Sequence, residues 1–129
     1  MSEFSRYQSL VADAKTRIRE VTVQEIERNP LPAGTVLIDI RETDEWRAGY
    51  ASGAVHLSRG ILEGEIEERI PDLDTPIVLY CAGGNRSALA ADNLQKMGYT
   101  NVRSLAGGFR EWKKARLPII PGGTDALKP

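Results

Sequence analysis

Short apolar runs recur along this chain, and each is followed by a helical pattern. Val36–Ile40, Ala54–Leu57 and Pro76–Tyr80 are the runs, and Val102–Leu105 reads as a further strand. Continuous apolar segments this short suit strands buried on both faces. Between them, Thr43-Asp44-Glu45-Trp46 looks like a helix start. Leu62, Ile66 and Ile70 recur four apart, and so predict a helix. Arg86 to Met97 predicts another, with Ala90, Leu94 and Met97 on one face and Gly98 as its stop. Phe109 to Ala115 predicts a last short helix. Strands alternating with helices give an α/β fold with a largely parallel sheet. In such folds ligands bind beyond the carboxyl ends of the strands.

Ahead of the first strand, residues 5–20 predict an amphipathic helix. Tyr7, Leu10, Val11, Ala14, Ile18 and Val21 form its stripe. A stripe of this kind is a docking face, with Leu10, Ala14 and Ile18 as the expected contacts. Thr22 and Glu25 read as a capping box for a short helix ending near Asn29-Pro30. The chain of 129 residues, 41% of them hydrophobic, therefore divides into an N-terminal helix (1–20), one domain (21–120) and a flexible tail (121–129). A formal net charge of -1 with 27% charged residues argues against a nucleic-acid binder. No apolar run approaches the length of a membrane span. The first residues lack the apolar stretch of a signal peptide. One cysteine excludes an internal disulfide, and one cysteine with one histidine argues against a metal centre. A free thiol intended for chemistry suits a reducing compartment, so a cytoplasmic location is expected.

That cysteine, Cys81, directly follows the third apolar run. It opens the turn Ala82-Gly83-Gly84-Asn85, which leads into Arg86-Ser87 and a helix. Glycines permit the φ > 0 angles that let backbone N–H groups converge on one atom. The helix start adds its positive dipole end. Together these favour the thiolate, the nucleophilic form of cysteine. A structural core cysteine needs none of these neighbours. Arg86 opposes the helix dipole at its position, which suits a site that holds an anion. Ser87 can hydrogen-bond the sulfur or cap the helix. Asp39 and Arg41 end the first apolar run and form either a pocket rim or an organising ion pair. Arg59, just after the second, is a candidate donor-binding cation or a solvated one. His56 lies within a strand pattern and reads as a satisfied histidine rather than a base, and Trp46 and Trp112 as packing anchors.

In order along the chain, Ile38-Asp39-Ile40-Arg41-Glu42 with Glu45-Trp46 and Gly49-Tyr50, then Gly53–Leu57, Tyr80–Ser87 and Leu105–Trp112 resemble the conserved boxes of the single-domain rhodaneses. These are sulfurtransferases, and the resemblance runs from about Val23 to Ile120. It implies a five-stranded, mostly parallel sheet with helices on both faces. It implies Cys81 as nucleophile and Ala82, Gly83, Gly84, Asn85, Arg86 and Ser87 as its loop. A small anionic sulfur donor or a persulfide would load Cys81, and a thiol, a cyanide-type acceptor or a partner protein's thiol would unload it. No cofactor, metal, nucleic acid or membrane is implied. Two features blur the donor. Thiosulfate-selective loops often carry a basic residue directly after the cysteine, where this chain has Ala82. Loops selective for mercaptopyruvate usually lack a final basic residue, where this chain has Arg86.

Two alternatives compete. Phosphatases and arsenate reductases of the related fold place five residues between Cys and Arg, and here four separate Cys81 from Arg86. A non-catalytic interaction or redox-sensing module would not need the intact glycine loop.

Overall fold

The polypeptide alternates strand and helix as its apolar pattern requires, and we describe residues 5–122 in a computed structural model. Helix α1 (Arg6–Lys15) opens the chain and strand β1 (Arg19–Val21) follows it. Then come α2 (Val23–Arg28), β2 (Val36–Asp39), α3 (Thr43–Arg47), β3 (Gly49–Ala51) and β4 (Val55–His56). The second half contains α4 (Leu62–Arg69), β5 (Ile77–Tyr80), α5 (Asn85–Lys96), β6 (Val102–Leu105), α6 (Gly108–Lys114) and β7 (Ile119–Pro121).

The main sheet has five strands in the order β1-β6-β5-β2-β4, and every pairing is parallel. Central β5 is buried at all four positions, which explains its unbroken apolar run. Successive residues serve opposite faces. Ile38, Ile77 and Leu79 pack with Leu62 and Ile66 of α4 and Ala90 and Leu94 of α5. Leu37, Val78 and Tyr80 pack with Val23 of α2 and Phe109 and Trp112 of α6. The helices thus cover both faces. From β2 the chain moves outward to β4, then returns to lay β5 on the other side of β2 and β6 beyond it. The crevice between the carboxyl ends of β2 and β5 is therefore the switch point where ligand sites form.

Helix α1 is shorter than its stripe predicts. It starts at a capping box, with Gln8 N donating to Ser5 Oγ (3.1 Å) and Ser5 N to Gln8 Oε1 (2.9 Å). It ends at Lys15, so Val21 belongs to the edge strand β1 and not to the helix. Val11 and Ala14 are its buried contacts, whereas Leu10 is 57% exposed. Ile18 packs on the core from the connecting segment. Beyond α1, Arg17 donates from Nε and Nη2 to both carboxylate oxygens of Asp92 on α5, at 3.1 and 2.9 Å. The capping box at Thr22 and Glu25 forms as the sequence predicts, as does the αL stop at Gly98 (φ +107°).

A second sheet was not foreseen. β3 and β7 pair antiparallel, with Gly49 opposite Pro121. Residue 121 is therefore in a strand, and residues 123–129 of the expected tail lie outside the described residues. Among the described residues no helix is long and apolar enough to cross a membrane.

Candidate active site

Cys81 emerges from the central strand β5 beside the switch point and is 1% exposed. Two loop amides aim at its sulfur: Gly84 N lies 3.1 Å and Ser87 N 3.4 Å from Sγ. Gly84 is the N-cap of α5 and Ser87 its third residue, so the helix start itself forms the cradle. Ser87 Oγ lies 3.5 Å from Sγ and 2.7 Å from Ser104 Oγ, and Ser104 on β6 is fully buried. The thiol can donate to Ser87. Once it ionises, Ser87 can donate to the sulfur while Ser104 donates to Ser87.

The two loop glycines serve different needs. Gly84 takes φ +100°, the left-handed conformation that glycine tolerates best. Gly83 does not have such an angle. Its missing side chain instead makes room for Arg110, since a Cβ on Gly83 would lie 3.2 Å from Nη1 and 3.4 Å from Nη2. Helix α6 delivers that arginine by docking its first turn on the loop. Phe109 N donates to Cys81 O at 2.8 Å and Arg110 N to Ala82 O at 3.1 Å. This approach requires Gly108, where φ is +58° and a Cβ would collide with Cys81 O and the Ala82 carbonyl.

Arg86 does not stand free over the cradle. Its Nη1 and Nη2 donate to Oε1 and Oε2 of Glu45, at 3.0 and 3.1 Å. The anion that makes a cation tolerable at this helix start is thus Glu45, from α3. The Glu45 hydrogen bond raises the Arg86 pKa, burial opposes it, and the Glu45 charge adds to the rise. In return Arg86 holds the Glu45 carboxyl below the usual range.

Asp39 and Arg41 form a buried pair. Arg41 donates from Nε to Asp39 Oδ1 (3.0 Å) and from Nη2 to Oδ2 (2.7 Å), and also to Gly49 O (2.7 Å). Tyr80 donates its hydroxyl to Asp39 Oδ2 at 2.6 Å. Burial pushes the Tyr80 pKa strongly upward, and the Asp39 charge pushes it further, so this hydroxyl remains a donor. The Arg41 guanidinium lies 4.3 Å from the centroid of the Phe109 ring.

Arg59 is also paired. It donates to both carboxylate oxygens of Glu63 at 2.7 Å and lines a hollow between α1 and α5. Asn85 is exposed at the start of α5. His56 Nε2 donates to Arg41 O at 2.8 Å, and its ring stacks on Trp46 at 4.9 Å. Beside the loop, Arg41, Glu45, Ala82, Phe109, Arg110 and Lys113 enclose a cleft of about 260 Å³. Of these, Arg110 and Lys113 were missed as site residues. Their spacing of three on a helix puts both on one face, the only sign of them in the sequence. Among the described residues no cluster of three or more His, Cys, Asp or Glu side chains could hold a metal ion.

The comparisons agree with this architecture. The thiosulfate sulfurtransferase GlpE of Pseudomonas fluorescens (strain SBW25) is 39% identical over 92 residues, covering 71% of this chain and 83% of that protein. A protein of unknown function from Rhodopseudomonas palustris CGA009, described as a possible tyrosine phosphatase, superposes with a TM-score of 0.80 at 31% identity, covering 93% of this chain and 99% of that one. The polysulfide-sulfur transferase homodimer of Wolinella succinogenes gives a TM-score of 0.73 at 26% identity, covering 95% and 91%. The model of the rhodanese-like domain matches residues 22–115, and the chain belongs to that family.

Proposed function

We propose that this protein is a sulfurtransferase that carries sulfane sulfur on Cys81. The observation that carries the reading is the cradle: a cysteine sulfur at the end of the central strand, faced by the amides of Gly84 and Ser87 and by the Ser87 hydroxyl. The two amides donate to the sulfur, and the Ser87 hydroxyl can turn to join them once the thiol ionises, so negative charge is stabilised there. The names of its relatives, thiosulfate sulfurtransferase among them, support the same chemistry.

With a thiosulfate-type donor, the Cys81 thiolate attacks the outer, sulfane sulfur. A new S–S bond forms, the bond between the two donor sulfurs breaks, and sulfite leaves with the electron pair. The negative charge now rests on the outer sulfur of a Cys81 persulfide. A thiolate or cyanide then attacks that outer sulfur, and the bonding pair returns to Sγ. The cycle needs no net oxidant, and its two half-reactions predict ping-pong kinetics. The donor is a small anion or a persulfide, the acceptor a small or protein-borne thiol, and the setting a reducing one such as the cytoplasm.

Phosphate-ester hydrolysis is the second reading, because of how the Rhodopseudomonas palustris neighbour is described. The loop argues against it. Four residues separate Cys81 from Arg86, and Arg86 is already bound by Glu45. Intact-mass analysis after thiosulfate treatment decides between them. One added sulfur atom, removed by cyanide and absent in Cys81→Ser, is the expected result. Cys81-dependent release of phosphate from an aryl phosphate without sulfur loading would overturn it.

A further inference from the structure

The cations that the sequence marks for donor binding are already engaged. Arg86 is held by Glu45, Arg41 by Asp39 and Arg59 by Glu63. In the cleft beside Ala82, the charge of Arg41 is offset by Asp39, and that of Glu45 by Arg86. This leaves Arg110 and Lys113 as uncompensated charges. Among the described residues neither makes an ion pair, and the side chain of Arg110 makes no hydrogen bond. The Lys113 ammonium lies 5.2 Å from the centroid of the Phe109 ring, on the cleft wall.

The position of Arg110 is the second observation. Its guanidinium rests on the bare face of Gly83, in the loop that cradles Sγ, and a single added methyl group would press against it. Its backbone amide is tied to Ala82 O, so the base of this side chain is fixed to the loop. The guanidinium offers a planar fork of donors that suits a sulfonate or carboxylate. Gly83, on which it rests, lies two residues beyond Cys81 in the same loop.

We propose that Arg110, with Lys113 strengthening the local field, is the anion-binding element of the donor site and selects donors that carry a sulfonate beside the sulfane sulfur. Ala82 leaves the position after the nucleophile without a charge, and Arg110 supplies that charge from α6. This assignment rests on the reading of Cys81 as the sulfur-accepting nucleophile.

The test compares wild type with Arg110→Gln and Arg110→Lys. Cys81 is alkylated at low ionic strength with anionic iodoacetate and with neutral iodoacetamide, and thiosulfate kinetics are measured in parallel. In Arg110→Gln the iodoacetate-to-iodoacetamide rate ratio should fall about ten-fold, the low end for a hydrogen bond to a charged group because Arg110 is exposed. Measured at a pH where Cys81 is ionised in both proteins, the iodoacetamide rate should stay within about two-fold, which also reports an intact loop. The thiosulfate KM should rise by a similar factor at constant kcat, and Arg110→Lys should recover part of both effects. If sulfur loads on Cys81 but ratio and KM in Arg110→Gln stay within two-fold of wild type, the assignment of Arg110 is wrong while the sulfurtransferase reading stands. If the ratio falls but wild type takes up no sulfur, the anion site stands and the sulfurtransferase reading fails.

Discussion

Replacing Asp39 by asparagine should cost this protein a large part of its stability, although the change is nearly isosteric. Asp39 is fully buried, and its carboxylate accepts hydrogen bonds from the Arg41 backbone N–H, the Arg41 guanidinium and the Tyr80 hydroxyl. An asparagine amide placed at Oδ2 would turn a donor toward the Arg41 Nε and Nη2 and the Tyr80 hydroxyl already there, and it would leave the Arg41 guanidinium, with a side chain only 6% exposed, without a counter-charge. Removing one member of a buried ion pair typically costs about 3–5 kcal/mol. At about 3–5 °C per kcal/mol for a domain of this size, Tm should fall by roughly 10–25 °C. The assay is thermal unfolding followed by circular dichroism on Asp39→Asn, Arg41→Met and the double variant. The double variant removes the stranded charge along with its partner, so it should be destabilised by no more than about half of what the sum of the singles predicts. A single-variant Tm drop under about 3 °C, or strict additivity of the two singles, would refute the reasoning.

Two further outcomes are expected. Gly108→Ala should lower stability by about 2–5 kcal/mol, from a positive φ and a Cβ forced against Cys81 O and Ala82, whereas Gly83→Ala should leave Tm within about 2 °C and alter only the donor KM. Thermal unfolding and thiosulfate kinetics on both variants check this, and the reverse order of stabilities would contradict it. The second concerns acid. Arg86 depresses the Glu45 pKa below its ordinary value of 4.5, so the pair's contribution is complete above about 4.5 and is lost as pH falls through the lower, folded value. The stability gap between wild type and Glu45→Gln, followed by thermal unfolding, should therefore be present at pH 6, amount to less than about 1 kcal/mol because the pair is about one-third exposed, and close toward pH 3. A gap that persists unchanged to pH 3 would rule out this titration.

Much of the architecture was legible because each buried strand carries its own apolar signal. The β5–loop–α5 unit could be read from contiguous residues, since Cys81, Gly84 and Ser87 lie within seven positions and meet through local geometry. Strand β1 was hidden because Ile18 and Val21 happen to continue the helical spacing of α1. The β3–β7 ribbon was hidden because Gly49–Ala51 and Ile119–Pro121 are three residues each and one ends in proline. The charge balance of the site was the least legible part. Glu45 reaches Arg86 across 41 positions, and nothing near Arg86 in sequence announces that it is neutralised. Arg110 is an exposed cation on a short helix, and only the folded chain shows that Gly83 lies bare beneath it.

The docking of α6 on the Cys81 loop bears on how such a site can be moved or divided. The loop's carbonyls at Cys81 and Ala82 are bonded not within their own segment but by amides that come after β6. The Cys81 turn is thus built from two pieces, and the segment 77–96 alone lacks one of its walls. Transplanting this chemistry to another α/β scaffold would require residues 105–110 to travel with it at fixed spacing. For the same reason an insertion between β6 and α6 would reach the Cys81 loop directly, while insertions in the turn at Pro32–Thr35, at the opposite ends of the strands, would leave it untouched.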